Sequence, residues 1–171
     1  MARHEDGHAW LCHLGGNTPS YLTIVARGDH GGYMEHADSE KLPLQTKEAL
    51  LSRIRTSLGG RAAELVYYGD EDGISTGAAG DLESATRIAK AMLMHYGMDE
   101  EFGLAAFSRE EAAKMPLTGD IQRRVNTVLM EQMKKTVALI QEGKEKIDRL
   151  VAALLEKNKL SREEMVALLD G

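Results

Sequence analysis

His4-Glu5-Asp6-Gly7-His8 lies at the head of this chain, and its reading decides what the rest of the fold must provide. On a helix, positions i and i+4 lie one above the other, rotated by only ~40°. His4 and His8 can then grip one zinc ion, with Glu5 beside them to take a proton from a water bound to that ion. A catalytic zinc needs a third protein ligand and one open position. His13 lies five residues beyond His8 and faces the wrong way, and the residue six beyond His8 is Leu14. The third ligand is therefore expected from elsewhere, an acidic residue on a partner helix being the natural choice. Cys12 lies one further turn along the face of His4 and His8; a small buried residue is the favoured reading over a thiolate ligand.

Outward from the motif, Met1 to about His13 reads as a helix, broken by Gly15-Gly16-Asn17-Thr18-Pro19. Tyr21 to Ala26 is rich in β-branched residues and predicts a strand. Gly28 to Gly32 turns the chain and Tyr33 to His36 returns it, giving a hairpin. Leu50, Leu51, Ile54, Leu58, Ala62 and Leu65 recur at helical spacing from about Thr46 to Val66. Gly59 and Gly60 interrupt that helix at roughly 1 kcal/mol each relative to Ala, so another backbone is expected to pack there. Ser75 or Thr76 can cap the next helix, which carries Leu82, Ala85, Ile88, Ala89, Met92 and Leu93. After a looser stretch from Gly97 to Gly119, Ile121 to Ile140 and Ile147 to Leu154 mark long amphipathic helices. Ser161 and Glu164 form a capping box for a last one.

Composition sets the class. Of 171 residues, 43% are hydrophobic and only 5% aromatic, which favours a helix-rich body. The net charge of -6 and the lack of a basic stripe argue against a nucleic-acid partner. No apolar run spans a bilayer and no signal peptide is visible. With a single cysteine, Cys12, a reducing, cytoplasmic setting is expected.

Several blocks beyond the motif resemble the peptidase domain of FtsH-type ATP-dependent zinc metalloproteases: His4-Glu5-x-x-His8-Ala9, Thr23 to Gly28 with Gly31-Gly32-Tyr33, and Leu58-Gly59-Gly60-Arg61-Ala62-Ala63-Glu64. Ser75-Thr76-Gly77-Ala78-x-x-Asp81-Leu82, then Ala85-Thr86 and Tyr96-Gly97-Met98, continue the likeness in the family's order. The resemblance implies that Asp81 is the third zinc ligand. Glu64 either orients a ligand histidine or pairs with Arg61 on its own helix; a structural role is the favoured reading. Asp6 stands where the family usually has a small residue, and its carboxylate either faces solvent or perturbs the electrostatics near the metal.

The expected fold is mostly α with a small β-hairpin or sheet, a zincin-like helix packed on helices, and a C-terminal helical bundle. A zinc-binding α/β lobe is expected over residues 1–98 and a C-terminal helical lobe over 99–171, together forming one peptidase domain. The expected function is zinc-dependent endopeptidase action on unfolded or extended polypeptides. Glu5 would activate the zinc-bound water, and the edge of a strand from Tyr21 to Ala26 would receive substrate. The alternative is an inactive zinc-binding module that recruits or regulates an ATPase. No Gly-rich phosphate loop followed by Lys-Ser/Thr occurs, so an AAA+ partner is expected in trans or in a longer, membrane-tethered parent chain. The resemblance further implies a hexameric homo-oligomer.

Overall fold

The computed structural model describes residues 2–24, 33–35, 44–69 and 73–171. The chain forms α1 (Ala2–Leu14), β1 (Tyr21–Thr23), β2 (Tyr33–Glu35), α2 (Lys47–Tyr68), a 3-10 turn (Thr76–Ala78) and α3 (Ala79–Met94). It continues through α4 (Arg109–Lys114), α5 (Gly119–Glu142), α6 (Lys144–Lys157), β3 (Lys159–Ser161) and α7 (Arg162–Asp170). The mostly helical class and the small sheet agree with the sequence pattern. Thr46 caps α2 by accepting from the Ala49 N–H, and Ser161 with Glu164 forms the reciprocal capping box of α7. Ser75 caps the 3-10 turn before α3 rather than α3 itself. The turn from Gly28 to Gly32 lies outside the described residues.

The sheet departs from a simple hairpin. Its order is β2-β1-β3, antiparallel throughout, with Leu22 opposite Met34 on one side and Leu160 on the other. Tyr21–Thr23 is therefore the interior strand and not the substrate-receiving edge expected of it, because its N–H and C=O groups are already paired on both sides. Residues 25 and 26 of that expected strand lie outside the described residues. β3 was not foreseen, since three residues between a helix end and a capping box carry no periodicity.

Two apolar clusters hold the helices. One joins Ala9, Trp10 and Leu11 of α1 to Ala62 and Ala63 of α2 and to Ile147, Leu150 and Leu154 of α6. The other joins Leu50, Ile54 and Leu58 of α2 to Ala85, Ala89 and Met92 of α3 and Val125 and Val128 of α5. Both draw residues from either side of residue 98, so the two expected lobes share their cores. No helix among the described residues is long and apolar enough to cross a membrane.

α1 and α2 meet at glycine. A Cβ on Gly7 would sit 2.4 Å from the Gly59 carbonyl oxygen and 2.8 Å from Ala63 Cβ, and one on Gly59 would sit 2.8 Å from the Gly7 carbonyl oxygen. This is the close backbone approach that the paired glycines of α2 foreshadow. At the other end of α1, Trp10 donates its indole N–H to the Leu139 carbonyl at 2.9 Å. Its ring lies where a Cβ on Gly143 would fall, 2.3 Å away, so it fills the joint between α5 and α6. The glycine contact sets the sign of a mutation. In a free helix Gly7→Ala would stabilise by roughly 1 kcal/mol. Here overpacking outweighs that gain, and Gly7→Ala is expected to lower the stability measured by urea unfolding by about 1–3 kcal/mol.

Candidate metal centre

The close approach of α1 to α2 brings the first helix's polar face over Gly60. A Cβ at Gly60 would lie 2.4 Å from His4 Nε2 and 2.6 Å from His8 Nε2. Only a residue without a side chain leaves room for both imidazoles. Across from them, the 3-10 turn delivers Asp81 in the first turn of α3. Asp81 Oδ2 stands 3.1 Å from His4 Nε2 and 3.0 Å from His8 Nε2, and the two Nε2 atoms are 3.1 Å apart. Among the described residues these three are the group whose donor atoms gather closely enough to hold a metal ion. Three donors each ~2.0–2.1 Å from a tetrahedral ion would stand roughly 3.3 Å from one another, close to the spacing seen.

The outer ring nitrogens fix which lone pairs face inward. His4 Nδ1 lies 2.6 Å from Glu64 Oε1, and His8 Nδ1 lies 2.7 Å from the Thr56 carbonyl oxygen. Carboxylate and carbonyl oxygens only accept, so both Nδ1 atoms carry the proton and both Nε2 atoms are bare in the neutral rings. Two bare nitrogens and a carboxylate oxygen then point at one spot. Such an arrangement repels itself unless a cation or a proton lies between, and it fits zinc.

Glu64 is thus tied to the site. Its Oε1 also accepts from Ser75 Oγ at 3.0 Å, and its Oε2 accepts from the Ser75 N–H at 2.7 Å. The alternative pairing with Arg61 is not made, since Arg61 donates instead to the Ser75 carbonyl at 3.1 Å. One buried carboxylate therefore holds both a histidine of α1 and the segment leading to Asp81.

Charge follows geometry. Burial works against a charged His4, but hydrogen bonds to Asp81 and Glu64 outweigh it and hold its pKa above the ordinary value. Burial likewise opposes ionisation of Asp81, yet a proton taken up on the Nε2 atoms of His4 and His8 in the metal-free protein keeps its carboxyl well below the usual carboxylate range. Glu5 is half-buried. Burial raises its pKa, and the neighbouring His8 and His4 only partly offset that rise. Cys12 takes no part. Burial pushes its thiol up to about 12, so no thiolate is available. His13 turns away to Thr18 and Asp170, and His95 binds the Phe107 carbonyl. His30 and His36 lie outside the described residues.

A family model described as peptidase family M41 matches residues 1–168. The chain belongs to that family. Among its relatives, the ATP-dependent zinc metalloprotease FtsH 1 of Thermoanaerobacter sp. (strain X514) is 34% identical over 100% of this chain and 30% of its own length. FtsH 3 of Sphaerobacter thermophilus, also named an ATP-dependent zinc metalloprotease, is 33% identical over 99% of this chain and 34% of its own. The mitochondrial inner membrane m-AAA protease component AFG3L2 of Mus musculus is 34% identical over 99% and 22%. This M41 chain thus spans about a fifth to a third of the length of the relatives it matches.

Asp6 is the feature that sequence reasoning left open, and it does not face solvent. Its exposure is 0%, and neither carboxylate oxygen has a hydrogen-bond partner among the described residues. Burial, helped by the charge of Glu5, pushes its pKa up to about 8.

Two outcomes are expected here. Gly60→Ala displaces both imidazoles and should lower bound zinc, measured by atomic emission, at least tenfold (about 1.4 kcal/mol). Asp6→Ala tests the buried acid in metal-free protein. The unfolded chain loses this proton near pH 3.8, whereas the folded chain keeps it to about 8, so Asp6 penalises the folded state increasingly as pH rises through that window. The variant should match wild type near pH 4 and exceed it by roughly 2–5 kcal/mol at pH 8 in chemical denaturation.

Proposed function

We propose that this domain is a zinc-dependent endopeptidase acting on unfolded or extended polypeptides. His4, His8 and Asp81 would hold the metal and Glu5 would serve as general base. The observation that carries this reading is the convergence of two bare Nε2 atoms and one carboxylate oxygen, with both Nδ1 protons tied back to Glu64 and Thr56. When bound there, zinc supplies Lewis acidity toward a carbonyl and makes a water easier to deprotonate. Glu5 takes the water's proton and passes it to the departing amine nitrogen. Its raised pKa makes it a stronger base than an exposed carboxylate. Glu64, Ser75 and the Thr56 carbonyl hold the imidazoles in one tautomer and one orientation.

Substrate would add as an extended strand at a free sheet edge. With β1 enclosed, the outer strands of the sheet are β2 and β3. Relatives named ATP-dependent and m-AAA support an AAA+ module, in the parent chain or in trans, that delivers unfolded polypeptide. A hexameric ring suits such delivery. One free cysteine, Cys12, accords with a cytoplasmic setting for the domain. No feature of the site favours the inactive-module reading, because Glu5 is in place beside His4.

Cleavage of unfolded casein with metal analysis on the same sample tests this reading. Glu5→Gln should keep zinc and lose at least a hundredfold in turnover, the scale of a general base, while Asp81→Ala should lose both zinc and turnover. Equal cleavage by Glu5→Gln and wild type would sink the mechanism.

A further inference from the structure

Away from the metal centre, α2, α3 and α4 enclose an open cleft of about 420 Å³. On α3, Ser84, Arg87, Ile88 and Ala91 share one face at i, i+3, i+4 and i+7, and all four line it. Leu50 and Ile88 contribute apolar surface, while Arg53, Arg87, Lys90 and Arg109 bring four cationic groups from three helices. No carboxylate is among the lining residues. None of the four cations is in an ion pair among the described residues.

We propose that this cleft binds an acidic, extended segment of a polypeptide. The charges are strung out rather than converged. Arg53 is held by Gln45 at 2.9 Å, Arg87 by Ser84 at 3.1 Å, and Arg109 by the Tyr96 hydroxyl at 2.7 Å; Lys90 is held by the Ala113 and Met115 carbonyls. No two of them share an acceptor. A compact phosphate needs donors aimed at one point, whereas separated guanidinium groups suit successive carboxylates, each of which a planar fork can grip in two places. From Ser84 to His95, α3 runs for ~16 Å, the length of about five extended residues. Apolar side chains of the segment rest on Ile88 and Ala91 while its carboxylates reach Arg53, Arg87 and Arg109. The cleft includes no metal-centre residue, so it serves as a second contact for acidic chains, and this inference stands apart from the peptidase reading.

Fluorescence anisotropy of a labelled peptide of alternating Glu and Leu tests it on the 171-residue chain. Its Gln-Leu counterpart, tripolyphosphate and oligothymidylate serve as comparisons. Arg53 and Arg87 are exposed, so Arg53→Glu/Arg87→Glu should fold, and an unchanged melting temperature verifies that; Arg87→Gln is the milder variant. The Glu-Leu peptide should bind wild type, weaken steeply with salt, and lose at least tenfold in affinity in the double variant and severalfold in Arg87→Gln. Its Gln counterpart should not bind. Equal binding by wild type and both variants overturns the proposal. So does displacement of the peptide by tripolyphosphate or oligothymidylate at concentrations below the peptide's own Kd, which would assign the cleft to phosphates.

Discussion

The approach of Gly7 to Gly59 is the contact on which the rest of the molecule depends. Helices carrying ordinary side chains pack with axes 8–10 Å apart; with no side chain at the crossing, α1 and α2 come together backbone to backbone. Gly60 then lies directly beneath the two imidazoles, and Thr56 and Glu64, one turn to either side on α2, fall within reach of the two Nδ1 atoms. A larger separation would leave both histidines untethered and the inward lone pairs undefined. The glycines lower the intrinsic helicity of α2, and tertiary packing on both of its faces offsets that cost.

Spacing made much of this legible. His4, Glu5 and His8 are neighbours on one helix, so their meeting is a local matter that helical geometry settles. The glycine pair in α2 also announced a close neighbour. Asp81 came only through resemblance, because its partner histidines lie more than seventy positions away and no period links them. Glu64 shows the same limit. Two roles were open from the sequence, and what decides between them is the 3-10 turn, which presents Ser75 to its far oxygen. β3 escaped notice because its pairing with β1 is a relation between ends of the chain. Asp6 was ambiguous for a different reason, since periodicity in so short a helix cannot distinguish a solvent face from one covered later by distant elements. The cationic cleft is invisible along the chain, where Arg53, Arg87, Lys90 and Arg109 stand far apart and no basic run marks them.

The candidate metal ligands of α1 and the buried acid beside them share a helix but obey opposite rules. His4 is partly and His8 fully buried, each with its Nδ1 proton engaged, so part of their desolvation is offset by hydrogen bonds. Asp6, between them in sequence, has lost water and gained nothing among the described residues. Protonation removes most of that penalty. The same short helix thus carries one carboxyl suited to accept protons at the site and another suited to stay neutral.

The pairing of β1 with β3 has a consequence for how the molecule is made. Leu22 meets Leu160, and the apolar side of α1 is covered by α6. The histidines, Glu64 and Asp81 all leave the ribosome well before α6 and β3. The sheet and the cover over α1, however, can close only once α6 and β3 have emerged. Long-range closures of this kind are slow and leave apolar surface open in the interval. During synthesis the nascent domain therefore carries its candidate metal ligands in an unfinished scaffold, which β3 completes.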